Sequence, residues 1–358
     1  MIDALLGGEY GAFELFHVRM DFSHDVGEIG AFRVRKIGHL MQTIARIASA
    51  RFRHGCRTLY YPPAGPNLVP ICRDIAILLA TRWMFDGVIF HFHASGLSEA
   101  YARLPTPLRP LYRLAYRRAH AAIRLSDLAA DDPGRLKALT SYVVPNGVPD
   151  HASARPSRSG RTPGEGPPRL LYVGVLCESK GLLVLLEACA TLKKHGIPFR
   201  LDLVGAPQPA DFARVLTETV DAHGLAGEVE FRGVRSGEEK WRIYGEATVF
   251  CFPTFFESET FPVVLLEAMQ FELPVVATSW RGIPSIVEDG HTGLLVPDHD
   301  AGSMADRIET LLGSPDLAAD MGRRGRERFL RHFTIEAFRH NMETVIESVA
   351  CPAPASRG

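Results

Sequence analysis

Three charged side chains stand in a pattern that could bind a phosphorylated ligand. Glu259 and Glu267 lie eight positions apart in ESETFPVVLLEA, residues 257–268. Glu267 falls inside an apolar run, where an ionised carboxylate is costly unless a partner or ligand meets it. Lys180 opens a helical pattern just after an apolar run that ends beside Gly174. A helix start offers backbone N–H groups and the positive end of its dipole, so with a lysine it suits an anion. Pro262 suits a first helical position, where its missing N–H costs nothing. Backbone donors, one lysine and two carboxylates fit a diphosphate flanked by two hydroxyl-rich groups, and a sugar nucleotide is such a ligand.

Other spacings point to less. His91 and His93 can share one strand face, but no third ligand is evident and no metal is expected there. Asp298-His299-Asp300 spells a D-x-D triplet, yet it directly precedes AGSMADRIETLL and reads as a helix cap. Glu257 reads as structural or solvated. No G-x-G-x-x-G follows a strand, which argues against a dinucleotide-dependent dehydrogenase.

The elements that must position these residues alternate. RLLYVGVL (169–176) reads as a buried parallel strand, KGLLVLLEACATLKKHG (180–196) as a helix and FRLDLVG (199–205) as a strand. A helix at 211–224, strands at 228–233, 248–253, 274–278 and 293–297, and helices at 238–247 and from Pro262 complete the pattern. Repeated strand–helix units with short connections imply a doubly wound parallel sheet, whose ligands sit at the carboxyl ends of the strands. The first half is less regular. FELFHVRM (13–20), 58–63, 87–93, 121–126 and 141–148 read as strands, 34–55 and 70–84 as helices. LRPLYRLAYRRAHAAIR (108–124) interleaves five arginines with Leu, Tyr and Ala as a basic amphipathic helix would, a surface that can lie on an anionic membrane.

At 358 residues, two domains are expected. Residues 151–168, HASARPSRSGRTPGEGPP, have linker chemistry. The expected division is a first domain over 1–150, the linker, a second domain over 169–335 and a final helix over 336–350 that returns to the first. Residues 1–160 hold 20 basic against 13 acidic side chains, and the remainder 20 against 28, so the two lobes should meet different partners. Six cysteines without C-x-x-C pairs suit a reducing compartment, and the opening residues lack a secretory pattern, so a cytoplasmic location is expected.

VPNGVPD (144–150), YVGVLCESKG (172–181), FRGVRSGEEK (231–240), PTFFESETFPVVLLEAM (253–269) and PVVATSWRGIPSIVEDGHTGLLVPDHD (274–300) occur in one order. GRRGRERFLRHFTIEAF (322–338) follows, and FHFHASG (90–96) precedes. Together they resemble the retaining glycosyltransferases of family 4. That resemblance implies the α/β GT-B fold, two Rossmann-like doubly wound domains facing a central cleft, with the first strand and glycine-rich loop of the N-terminal domain missing and the chain therefore shortened. It implies transfer of a sugar, of hexosyl type, from a nucleotide-sugar donor to a glycan or lipid-linked acceptor. No metal, further cofactor or nucleic acid is expected, and the protein would act at the inner membrane face. By the same resemblance Lys180 balances the leaving diphosphate, Glu259 holds sugar hydroxyls, Glu267 the ribose, and His93 approaches the donor sugar. Gly174, Thr260, Phe261, Pro262 and Val263 would line the sugar-phosphate, and Gly233 and Val234 the base. Val175 stands where the family usually has an arginine. That departure keeps two alternatives open: a non-catalytic paralogue acting as a binding subunit, and a GT-B sugar-nucleotide epimerase.

Overall fold

The computed structural model describes residues 2–20, 35–152 and 166–351. Of the linker expected over 151–168, residues 153–165 lie outside the described residues. Two compact units emerge, one formed by Met1–Pro145 with Glu336–Gly358, the other by Asn146–Ile335.

The first unit carries a four-stranded parallel sheet in the order β1-β2-β3-β4: Thr58–Tyr61, Gly87–Phe92, Ala121–Arg124 and Thr140–Val143. Parallel strands need crossover segments, and helices such as Leu68–Thr81 and Leu108–Tyr116 supply them. Those helices cover one face, burying Ile71, Ile75, Leu78, Tyr112 and Tyr116 against Phe90 and Phe92. The helix Ile335–Ala350 covers the other with Phe338, Met342, Val345 and Ile346 on Ile89 and Ile123.

Two sequence expectations fail in this unit. Residues 13–20 form no strand. Phe13 and Leu15 pack on one core and Val18 and Met20 on the other, so their apolar alternation arises from side chains split between two clusters. The basic helix expected over 108–124 stops at Tyr116, Arg118 takes a left-handed backbone (φ 57°), and Ala121–Arg124 is β3.

The second unit contains six parallel strands in the order β10-β9-β8-β5-β6-β7. They are β5 Arg169–Val173, β6 Arg200–Val204, β7 Val229–Gly233, β8 Val249–Phe252, β9 Val275–Thr278 and β10 Gly293–Val296. Winding runs one way from β5 to β7 and the other from β8 to β10, so the order reverses between β5 and β8. Every residue of β8 and β9 is buried, as strands covered on both faces should be. Leu182, Leu185, Leu186 and Cys189 of the helix Leu182–Lys194 are fully buried, each leucine stabilising the fold by about 1.5–3 kcal/mol.

Candidate functional site

The reversal between β5 and β8 opens a crevice at the carboxyl ends of those strands, the usual ligand position in such sheets. Lys180 follows β5 at the end of a short 3₁₀ turn, and Glu259 stands in the loop that follows β8. Their side chains meet at 2.5 Å between Nζ and Oε2, both largely buried. The Thr254 hydroxyl donates to the same carboxylate oxygen at 3.3 Å. Lys180 also lies over the rings of Phe252 and Phe256, at 5.7 and 4.7 Å, so its ammonium is held by an acid and two π-faces. Gly181 joins this turn to the next helix at φ 74°, and a Cβ there would stand 2.0 Å from the Pro253 carbonyl oxygen. Only glycine lets the β5 and β8 loops approach so closely.

Glu267 projects from the helix Val263–Gln270 and is 8% exposed. Its carboxylate accepts from Lys240 Nζ at 2.7 Å and from the Tyr244 hydroxyl at 2.8 Å. Burial of this acid within an apolar run is therefore satisfied by the protein itself, and it does not by itself call for a ligand. Lys240 and Tyr244 are one turn apart on the helix Gly237–Glu246, and sequence reasoning missed both. The signal was their four-residue spacing, which puts a cation and a hydroxyl on one helix face.

The rest of the crevice is backbone and small groups. Gly174 directly follows β5 and Gly233 ends β7. Gly205 lies between them, with its N–H on the Gly233 carbonyl at 2.9 Å and room for no Cβ, which would sit 1.8 Å from the Gly174 oxygen. Val234 stands 68% exposed beyond this glycine shelf. Thr260 and Phe261 are buried, Phe261 edge-on to Phe333, while Val263 is partly exposed at the helix start. Pro262 occupies the cap position (φ −68°, ψ 111°), one residue ahead of the first helical position expected for it. Glu257 is exposed, and Asp300 caps the helix Ala301–Gly313 through the Ser303 amide at 2.8 Å.

His93 belongs to the other unit, just past β2, and is half-buried. Its ring lies 4.1 Å from that of His91, whose Nδ1 bonds the Tyr60 hydroxyl at 2.7 Å. Burial lowers the His93 pKa to about 4 and holds that of His91 well below its ordinary value. Both rings are neutral near pH 7. No group of three or more potential metal ligands forms among the described residues.

Residues 155–328 match the family model described as glycosyl transferases group 1. A Salmonella typhimurium protein assigned to colanic acid biosynthesis as a glycosyltransferase, WcaL, is 29% identical over 81% of this chain and 70% of its own length. Sucrose-phosphate synthase from Thermosynechococcus elongatus superposes with a TM-score of 0.68 at 23% identity, over 90% of this chain and 81% of that one. HepE of Anabaena, solved in complex with UDP, gives 0.68 at 20% identity, over 87% and 84%. The solved structures share the fold with this chain.

Proposed function

We propose, from the premise that this chain belongs to the group 1 glycosyl transferases and has the GT-B fold, that it moves a sugar from a nucleotide-sugar donor to a glycan or lipid-linked acceptor with retention of anomeric configuration. The observation that carries this reading is the meeting of Lys180 with Glu259 at the strand reversal, with Glu267, on the helix that follows Glu259, held by Lys240. As the bond from the sugar C1 to the phosphate oxygen breaks, positive charge develops on the sugar and negative charge on the diphosphate. The Lys180 ammonium and the first amides of the helix Val263–Gln270 would stabilise the leaving group, each such contact contributing about 2–4 kcal/mol. Glu259 would accept from sugar hydroxyls, and Glu267 from those of the ribose. Gly174, Thr260, Phe261, Pro262 and Val263 would lie along the sugar-phosphate, with Gly233 and Val234 beside the base. His93 would meet the sugar as a neutral hydrogen-bonding ring. With the leaving group held by protein groups, turnover is expected to persist in excess EDTA.

HepE binding UDP supports a nucleotide donor, and the colanic acid assignment of WcaL supports a glycan acceptor. The basic surface of the first unit supports a place at the inner membrane face. There Trp83 is 73% and Leu114 68% exposed, beside Arg109 and Arg113.

Calorimetry with UDP, GDP, ADP and their common sugars tests the donor site. Saturable binding of one nucleotide, lost in Glu267→Ala, is expected; absence of binding to all of them sinks the reading. Incubation of the bound donor with lipid-linked acceptors then separates the alternatives. A transferred sugar with unchanged anomeric configuration is expected, an isomerised donor would mark an epimerase, and binding without turnover would mark a partner subunit.

A further inference from the structure

The crevice as built carries almost no spare positive charge. Lys180 is taken by Glu259 and Lys240 by Glu267, two pairs that each sum to zero. A diphosphate entering between them brings two further negative charges that neither pair balances. Val175, 42% exposed beside β5, supplies none.

The loops after the six strands hold three Lys or Arg side chains. Lys180 follows β5, Arg235 follows β7 and pairs with Glu239 at 3.2 Å, and Arg281 follows β9. Among the described residues Arg281 has no carboxylate partner. Its guanidinium stands 5.6 Å from the centre of the Trp280 ring. The Trp280 indole N–H in turn donates to the Phe256 carbonyl at 2.8 Å, and the Phe256 ring covers Lys180 at 4.7 Å. Two contacts thus link Arg281 to the loop that presents Glu259, and the third runs from that loop to Lys180. The backbone at Arg281 is left-handed (φ 50°), a conformation costly for a side chain with a Cβ and usually kept for a reason. A glycine would relieve it at once.

We propose that Arg281 is the second cation of the donor site and binds the sugar-linked phosphoryl group, whose charge Lys180, engaged by Glu259, does not balance. This rests on the donor-site reading above. A guanidinium near an indole face keeps its planar fork, which can offer two parallel N–H donors to phosphoryl oxygens.

The test measures the affinities of UDP, GDP and ADP and of the matching monophosphates for the wild-type protein, Arg281→Gln and Arg281→Gly. The expected result is a loss of about tenfold for the bound diphosphate in both variants, with its monophosphate unchanged, as one charge-assisted contact implies. Arg281→Lys should recover part of the loss. Arg281→Gly removes the backbone strain, so its thermal midpoint should hold or rise, and weaker binding by it cannot come from unfolding. Equal diphosphate affinity in all variants overturns the proposal and leaves the donor site standing. An equal loss for mono- and diphosphate also overturns it, because Arg281 would then touch the nucleoside end. No nucleotide binding by the wild-type protein overturns the donor-site reading and this assignment with it.

Discussion

Glu267 shows how far residue types alone can lead. Its place among Val264, Leu265, Leu266 and Met269 was legible as a buried acid, but the lysine and tyrosine that satisfy it come from another helix, 27 and 23 positions earlier. No local pattern links those positions, since only the packing of the helix Gly237–Glu246 beside the helix Val263–Gln270 brings them together. Tyr244→Phe should leave one buried carboxylate oxygen unmet. The expected cost is about 1–3 kcal/mol in unfolding free energy, with weakened nucleotide binding, read by urea denaturation and calorimetry. The histidines make a pH-dependent prediction of opposite origin. His93 keeps its neutral form in the folded chain down to about pH 4, whereas the unfolded chain protonates it near its ordinary 6.5. Between those values the unfolded state binds the extra proton, so stability should fall as pH drops. By pH 5 the loss from His93 should approach 2 kcal/mol, with His91 adding in the same direction, and His93→Asn should flatten the dependence in urea titrations.

Elements were legible where burial is two-sided and connections are short. β5, β8, β9 and β10 coincide with apolar runs bounded by glycine, proline or polar residues, whereas β7, Val-Glu-Phe-Arg-Gly, has no buried residue and was read from its alternation. The errors fall where one signal has two causes. Arginine spacing over 108–124 continues through a chain reversal at Arg118, so a helix pattern was read across a turn and a strand. Segment 13–20 alternates like a strand but forms no ladder. Gly181 is the element-scale feature with the sharpest consequence. Gly181→Ala would force a left-handed alanine against the Pro253 carbonyl. A loss of at least about 2 kcal/mol is expected, with a lowered thermal midpoint and weakened nucleotide binding as Lys180 is displaced. Gly227→Ala, with nothing within 4 Å of the added Cβ, should change neither and serves as the control.

At the scale of the whole molecule, the charge difference between the chain's two halves finds a structural counterpart on the first unit. Arg82 uses its guanidinium on the carbonyls of Ala115 and Arg118, tying off the end of the helix Leu108–Tyr116. Leu111 and Leu114 of that helix and Trp83 stay exposed with Arg113, while Arg109 is half-buried and donates to the Leu104 and Ala102 carbonyls. Aromatic, aliphatic and basic side chains in one surface favour the headgroup region of an anionic bilayer. The protein should float with vesicles rich in phosphatidylglycerol and remain behind with purely zwitterionic ones. Trp83→Ser with Leu114→Ser should abolish flotation while leaving nucleotide binding intact, and flotation by the double variant would refute the assignment. No described helix is long and apolar enough to cross a membrane.

The strand reversal that makes the crevice also sets a timetable for synthesis. β5 is the first strand of its sheet to leave the ribosome, but its neighbour on one side is β8, and Lys180 precedes Glu259 by 79 residues. At about 5–20 residues per second, β5 waits roughly 4–16 s with an apolar edge open before that neighbour arrives. The interval is one in which a nascent chain is exposed to mispairing and to chaperones. The Lys180–Glu259 contact cannot close before β8 and its loop are delivered, and β9 and β10 follow later, so that contact would mark the moment at which translation has formed the reversal.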